Sequence, residues 1–192
     1  MVKINSKEDF SILIKEIALE NAQKVFKANF ISTPIGEMLA IADESYLYLL
    51  EFMECKNLHL EVESLGKKHK VNFELGENSV INSAEEELGA YFSGKLQNFK
   101  TPIFLDGSDF QETVWSSLQK IEYGKTCSYL ELANKINRPT SMRAVANANG
   151  ANQLAIIIPC HRVISANGSL AGYAGGVERK KWLLQHENNN SN

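Results

Sequence analysis

The sequence predicts an α+β protein of two domains, with strands gathered in the first half and helices in the second. Three observations carry this prediction. The hydrophobic pattern changes at residue 28 from helical spacing to short apolar runs. Pro102 to Ser108, with Asp106-Gly107 inside it, has the composition of a linker. The two sides of that linker also differ in charge: residues 1–109 carry 11 Lys and Arg against 18 Asp and Glu, a net of −7, whereas residues 110–192 carry 9 against 5, a net of +4.

The 192 residues, 44% hydrophobic and 22% charged, have a globular composition and are enough to bury a sizeable core. No apolar run is long enough to span a membrane. The opening MVKINSKEDF lacks the apolar stretch of a signal peptide, so the expected location is the cytoplasm. Three widely spaced cysteines, Cys55, Cys127 and Cys160, cannot form a complete disulfide framework and fit reduced thiols. The basic second half is permissive for phosphate contacts.

Phe10, Leu13, Ile14, Ile17, Ala18, Val25 and Phe26 predict an amphipathic helix over 9–27. From Ala28, three apolar runs broken by Thr33-Pro34-Ile35-Gly36 and Asp43-Glu44-Ser45 predict an antiparallel meander. A helix at 55–66, a strand at 71–75 and a helix from Ser79 to Phe92 complete the first domain. The expected division is a helical extension at 1–27, an α/β domain at 28–107, a second domain at 108–187 and a frayed tail at 188–192.

Beyond the linker, Phe110 to Ile121 has a helical apolar face of Phe110, Val114, Leu118 and Ile121. Ser128 with Glu131 forms a capping box for a helix that buries Leu130, Leu132, Ala133 and Ile136. Asn137-Arg138-Pro139 stops it, and Thr140 to Asn149 restarts as a helix rich in alanine. The arrangement fits a helix-turn-helix, and from pattern alone a plain helical bundle fits somewhat better. An alanine-rich helix is thin enough for a minor groove. Arg143 is its long cation, able to reach a base stack or a phosphate, or simply to stand in solvent.

The β-prone run Leu154-Ala155-Ile156-Ile157-Ile158 predicts a buried strand, ended by Pro159 so that Cys160 sits at its lip. His161 and Arg162 follow. An imidazole or cation beside a thiol favours the nucleophilic thiolate, although a Cys beside a His also arises by coincidence.

The peptide Ile157-Ile158-Pro159-Cys160-His161-Arg162-Val163-Ile164 closely resembles the active-site signature of the O6-alkylguanine-DNA alkyltransferases. The resemblance runs from about Phe30 to Glu187. It implies that Cys160 is the alkyl acceptor, that Glu187 orients His161, and that His161 deprotonates Cys160 through a water. It makes Tyr129 the proton donor to guanine N3 and Arg143 the residue that displaces the base, with Thr140, Ser141 and Ala144 beside it on DNA. Asn152, Val163, Tyr173, Ala174 and Gly175 would form the substrate pocket. The implied folds are ribonuclease-H-like for the first domain and a winged helix-turn-helix for the second. The implied activity is direct-reversal repair of O6-alkylguanine, and of O4-alkylthymine, in double-stranded DNA by a monomer that is spent after one transfer and needs no cofactor.

Ala174 departs from members that carry serine there, leaving only a backbone N–H for O6. Cys55, His59 and His69 are too scattered for the zinc site that some members hold, so no metal is expected. Cys127 fits a packing role, and the Gly172–Gly176 loop lacks the lysine of a phosphate-binding loop. The leading segment could join another module. A binding-only protein that recognises the lesion, or a regulator switched by alkylation, are the alternatives; retention of Cys160 speaks against the first.

Overall fold

The computed structural model describes residues 4, 6–170 and 172–191. Two compact units result. Residues up to Ala90 together with Lys100–Phe104 form the first, and Tyr91–Phe99 together with Leu105 onward form the second. The division is therefore not the single break near residue 107 that the linker suggested, because the chain passes between units more than once.

In the first unit, helix α1 spans Lys7–Glu16, and Ser6 caps it by accepting the Asp9 N–H at 3.1 Å. The predicted helix over 9–27 is thus too long. Strand β1 begins at Lys24 and takes Val25 and Phe26 with it. Tertiary pairing overrides helical spacing here, since Lys24–Ala28 lie in register with Val71–Leu75. Val25 is exposed and Phe26 buried, as period-two alternation demands. The leading segment is part of this unit's core: Phe10 meets Phe30 edge-on at 5.6 Å, and the Asn72 amide holds both the N–H and the carbonyl of Leu19.

Strands β1 (Lys24–Thr33), β2 (Gly36–Ala42) and β3 (Leu47–Phe52) form the expected meander. Strand β4 (Val71–Leu75) follows helix α2 (Leu58–His69) and pairs parallel to β1, giving the order β3-β2-β1-β4. The sheet is therefore mixed, not antiparallel. A parallel partner needs a long crossover, and β2, β3 and α2 supply it.

Helix α3 (Ser79–Phe92) leads into the second unit, which holds α4 (Asp109–Leu118), β5 (Cys127–Ser128), α5 (Tyr129–Lys135), α6 (Met142–Gly150), a 3-10 turn at Cys160–Arg162, β6 (Val163–Ile164) and α7 (Val177–Asn190). Ser108 with Gln111 and Ser128 with Glu131 form complete capping boxes. Asn137, at φ 56°, and Pro139 separate α5 from α6. On α5 the buried arc is Leu132 and Ala133, with Ile136 half-buried, while Leu130 is exposed. Two residues on a helix differ by about 200°, so Leu130 must face away from Leu132. Helix α7 continues to Asn190, whose amide donates to the His186 carbonyl at 2.8 Å; the expected frayed tail is helical for most of its length. Among the described residues no helix is long and apolar enough to cross a membrane.

Candidate active site

Leu154 to Ile158 are buried, yet they do not form the predicted strand. The side chain of Asn152 takes the place of a neighbouring strand. Its Oδ1 accepts the Leu154 N–H at 3.0 Å, and its Nδ2 donates to the Ile158 carbonyl at 3.0 Å. The peptide curls around this amide, with Ile158 N–H bonded to the Leu154 carbonyl at 2.9 Å and Ile156 at φ 71°. Apolarity alone fixed that this run is buried, and one amide fixed its shape.

Pro159 then turns the chain into the 3-10 turn that begins at Cys160. Cys160 is in no disulfide and is 6% exposed, and Asn152 Nδ2 donates to its Sγ at 3.2 Å. Asn149, from the end of α6, donates to the Cys160 carbonyl at 3.4 Å. The sulfur thus accepts from one side-chain amide, a donor that favours a thiolate over a thiol, while the second amide holds the Cys160 backbone.

His161 is fully buried and its Nε2 lies 2.8 Å from Glu187 Oε1. Its Nδ1 has no hydrogen-bond partner among the described residues. Arg162 turns to the same carboxylate: Nε reaches Oε2 at 2.9 Å and Nη2 reaches Oε1 at 3.0 Å, while Nη1 donates to the Ile121 carbonyl at 2.6 Å. Gly124 gives its N–H to Glu187 Oε2 at 3.1 Å, and Tyr91 gives its hydroxyl to Oε1 at 2.9 Å. Gly124 stands at φ 72°, where a Cβ would come within 2.7 Å of Ser191 Cβ, so no larger residue fits this approach.

The electrostatics follow from this geometry. Burial raises the Glu187 carboxyl, but the hydrogen bonds of His161 and Arg162 and the guanidinium charge of Arg162 outweigh it and hold the group down at about 2. Burial dominates at His161 and lowers it despite Glu187, so the imidazole is neutral near neutral pH. With Glu187 ionised, Nε2 must carry the proton and Nδ1 keeps a lone pair.

Tyr129, the first residue of α5, is half-buried, and burial together with the Cys160 charge raises its phenol. It stays protonated and feels the sulfur. Lys180, fully buried on α7, donates to the Val163 carbonyl at 2.6 Å and reaches the Gly172 carbonyl at 3.5 Å, tying the 172–176 loop to β6. Burial lowers its ammonium, and the Cys160 charge opposes that. In the loop, Tyr173 is half-buried, Ala174 exposed and Gly175 buried. Thr140, Arg143 and Ala144 are exposed and Ser141 half-buried at the start of α6, away from the hydrogen bonds around Glu187.

The structure therefore joins Cys160 to Asn152 by one hydrogen bond and gathers His161 and Arg162 on Glu187 by others, places Tyr129 within electrostatic reach of the sulfur, and leaves the α6 residues as a separate exposed face. Sequence reasoning treated Arg162 only as a neighbour of the thiol and missed Tyr91, Asn149 and Lys180 altogether. Arg162 and Lys180 were open to suspicion as cations beside apolar stretches. Tyr91, far from the motif, gave no signal. Among the described residues no group of three or more His, Cys, Asp or Glu is placed to hold a metal ion.

A model described as 6-O-methylguanine DNA methyltransferase, DNA binding domain, matches residues 109–189. The methylated-DNA–protein-cysteine methyltransferase of Methanosarcina barkeri is 41% identical over 162 residues, covering 84% of this chain and 97% of that protein. The protein of the same name from Shigella flexneri is 38% identical over 159 residues, covering 82% and 92%. A crystal structure of Mycobacterium tuberculosis OGT in complex with DNA superimposes with a TM-score of 0.74 at 39% identity, covering 85% of this chain and 94% of that one. Similarity of this extent, over more than four fifths of this chain and more than nine tenths of each partner, means that the chain belongs to the methylated-DNA–protein-cysteine methyltransferase family.

Proposed function

We propose that this protein reverses DNA alkylation directly, moving a methyl or larger alkyl group from O6 of guanine, and from O4 of thymine, to Cys160 Sγ. The observation that carries the reading is the buried Cys160 thiol followed directly by His161, whose Nε2 is held by a buried Glu187 that Arg162 closes from the far side. Glu187 holds the Nε2–H of His161, and Nδ1 takes the thiol proton through one water. The thiolate attacks the alkyl carbon in line, an S–C bond forms, and the C–O bond breaks with its electron pair going to the guanine. Tyr129 protonates N3 of the departing base and is itself reprotonated from solvent. The thioether offers water no carbonyl to attack, so each molecule acts once.

A base in a duplex is out of reach of a buried sulfur, so the nucleotide must flip into the pocket. The pocket is assigned to Asn152, Val163, Tyr173, Ala174 and Gly175, with Ala174 contributing only its backbone. The thin exposed start of α6 enters the minor groove, with Thr140, Ser141 and Ala144 against the backbone and Arg143 filling the vacated stack. The pair β5–β6 packed on α5, which in turn packs on α6, supports a winged helix-turn-helix, and the mixed sheet supports a ribonuclease-H-like first domain. A single copy carries every assigned residue, so the acting species is a monomer. Incubation with duplex DNA containing O6-methylguanine should add one CH2 to the Cys160 peptide by mass; folded protein that gains nothing would defeat the reading.

A further inference from the structure

Tyr91 is the largest fully buried side chain among the described residues, and its ring is fixed among Phe99 at 5.5 Å, Tyr123 at 5.9 Å and His186 at 5.3 Å. Its carbonyl accepts from His186 Nε2 at 2.8 Å, which fixes the backbone as well. The phenol therefore has one direction in which to point, and it points at Glu187 Oε1. The segment that supplies it, Tyr91–Phe99, precedes the stretch matched by the family's DNA-binding model and packs within the second unit.

We infer that Tyr91 is a positioning residue for the alkyl-acceptor site, its hydroxyl setting the basicity of His161 by sharing Glu187 Oε1 with it. The inference rests on the proposed transfer to Cys160. Oε1 accepts from Tyr91, His161 and Arg162 at once. An oxygen engaged by three donors cannot carry a proton, so His161 is held in the Nε2–H form with Nδ1 available to the thiol. Packing alone does not need the hydroxyl, since phenylalanine would fill the same space.

The sharing has a definite sign. Each donor withdraws electron density from the carboxylate, and losing the Tyr91 hydroxyl leaves more of it to His161. The imidazole then becomes a stronger base. The other groups acting on His161 are Arg162 and Lys180, and those acting on Glu187 include Tyr123, and none of them changes when the hydroxyl is removed.

The test is nuclear magnetic resonance of the full chain labelled with 15N-histidine. The His161 Nε2–H proton should move downfield in Tyr91→Phe and upfield when Tyr91 is replaced by 3,5-difluorotyrosine, a stronger donor of the same shape. The acid limb of the alkyl-transfer rate should rise by about half a pH unit in the first and fall in the second. An Nε2–H resonance and acid limb unmoved in both proteins would overturn the inference. Where Tyr91→Phe does not fold, the fluorinated protein decides alone. The resonance requires no alkyl transfer, so absence of methyl uptake by the unmodified protein would count against the proposed function and not against this one.

Discussion

Arg162 grips Glu187 with two nitrogens, Nε on Oε2 at 2.9 Å and Nη2 on Oε1 at 3.0 Å, across 25 residues of sequence. The fork matches the carboxylate plane, and both groups are nearly or wholly removed from water. Replacing Arg162 by Ala leaves a buried carboxylate without its counter-charge and the Ile121 carbonyl without its donor. The expected cost is about 3–5 kcal/mol of stability. Arg162→Lys keeps the charge but cannot fork, and should fall between the two. Urea unfolding of the three proteins checks the order; an Arg162→Ala midpoint equal to that of the parent would contradict it.

Acid should destabilise the protein in two stages. His161 is lowered below its ordinary 6.5 by burial, so the unfolded chain binds the proton first, and stability begins to fall as pH drops through 6.5. Glu187 is held at about 2 against an ordinary 4.5, so its contribution is present above 4.5 and is lost as pH falls toward 2. That second loss amounts to about 3 kcal/mol. Unfolding free energy should hold level from pH 8 to about pH 7 and then decline to pH 3, and a profile still flat between pH 6.5 and pH 5 would remove the argument for a buried neutral imidazole.

Asn152 serves the fold and the sulfur with different atoms, which separates its two roles. Asn152→Ala leaves the Leu154 N–H and the Ile158 carbonyl unsatisfied in the core, at a cost of about 1–3 kcal/mol for each group that finds no water. Asn152→Asp keeps an acceptor for Leu154 but sets a carboxylate 3.2 Å from where the thiolate forms. It should slow alkylation of Cys160 more than Asn152→Ala does at equal folded fraction. Rates of single-turnover transfer, corrected by circular dichroism for unfolded protein, decide this.

The same residues show what a sequence can and cannot convey about this chain. The meander, helix α4, the capped helix α5 and the Cys160 signature were legible because each is written in adjacent residues. Residues 154–158 misled because a β-prone run does not state whether a partner strand or an asparagine amide will satisfy it. Val25 and Phe26 were drawn into β1 by a strand nearly fifty residues away. Tyr91 stayed hidden for the same reason, since its meaning comes from a carboxylate at the other end of the unit.

Tyr129 should matter to the leaving group and little to the sulfur. Tyr129→Phe removes the phenol while leaving the start of α5 capped by Ser128. Transfer from O6-methylguanine should slow by about 10²–10⁴-fold, the usual worth of a positioned acid. Alkylation of Cys160 by iodoacetamide, whose iodide leaves without a proton, should be unchanged. Equal slowing of both reactions would mean that Tyr129 acts on the thiol instead.

Arg143 offers the reverse separation, between reaching the base and reacting with it. It stands exposed on α6 and takes no part in the hydrogen bonds around Cys160 and Glu187, so Arg143→Ala should change stability by no more than about 0.5 kcal/mol. In a duplex the extruded guanine leaves a gap whose filling lowers the cost of flipping, and without Arg143 transfer from duplex DNA should fall by about 10–100-fold. Transfer from a free O6-alkylguanine base involves no stack to refill. The variant should match the parent there, and a comparable loss on the free base would place Arg143 in the chemistry, not in the groove.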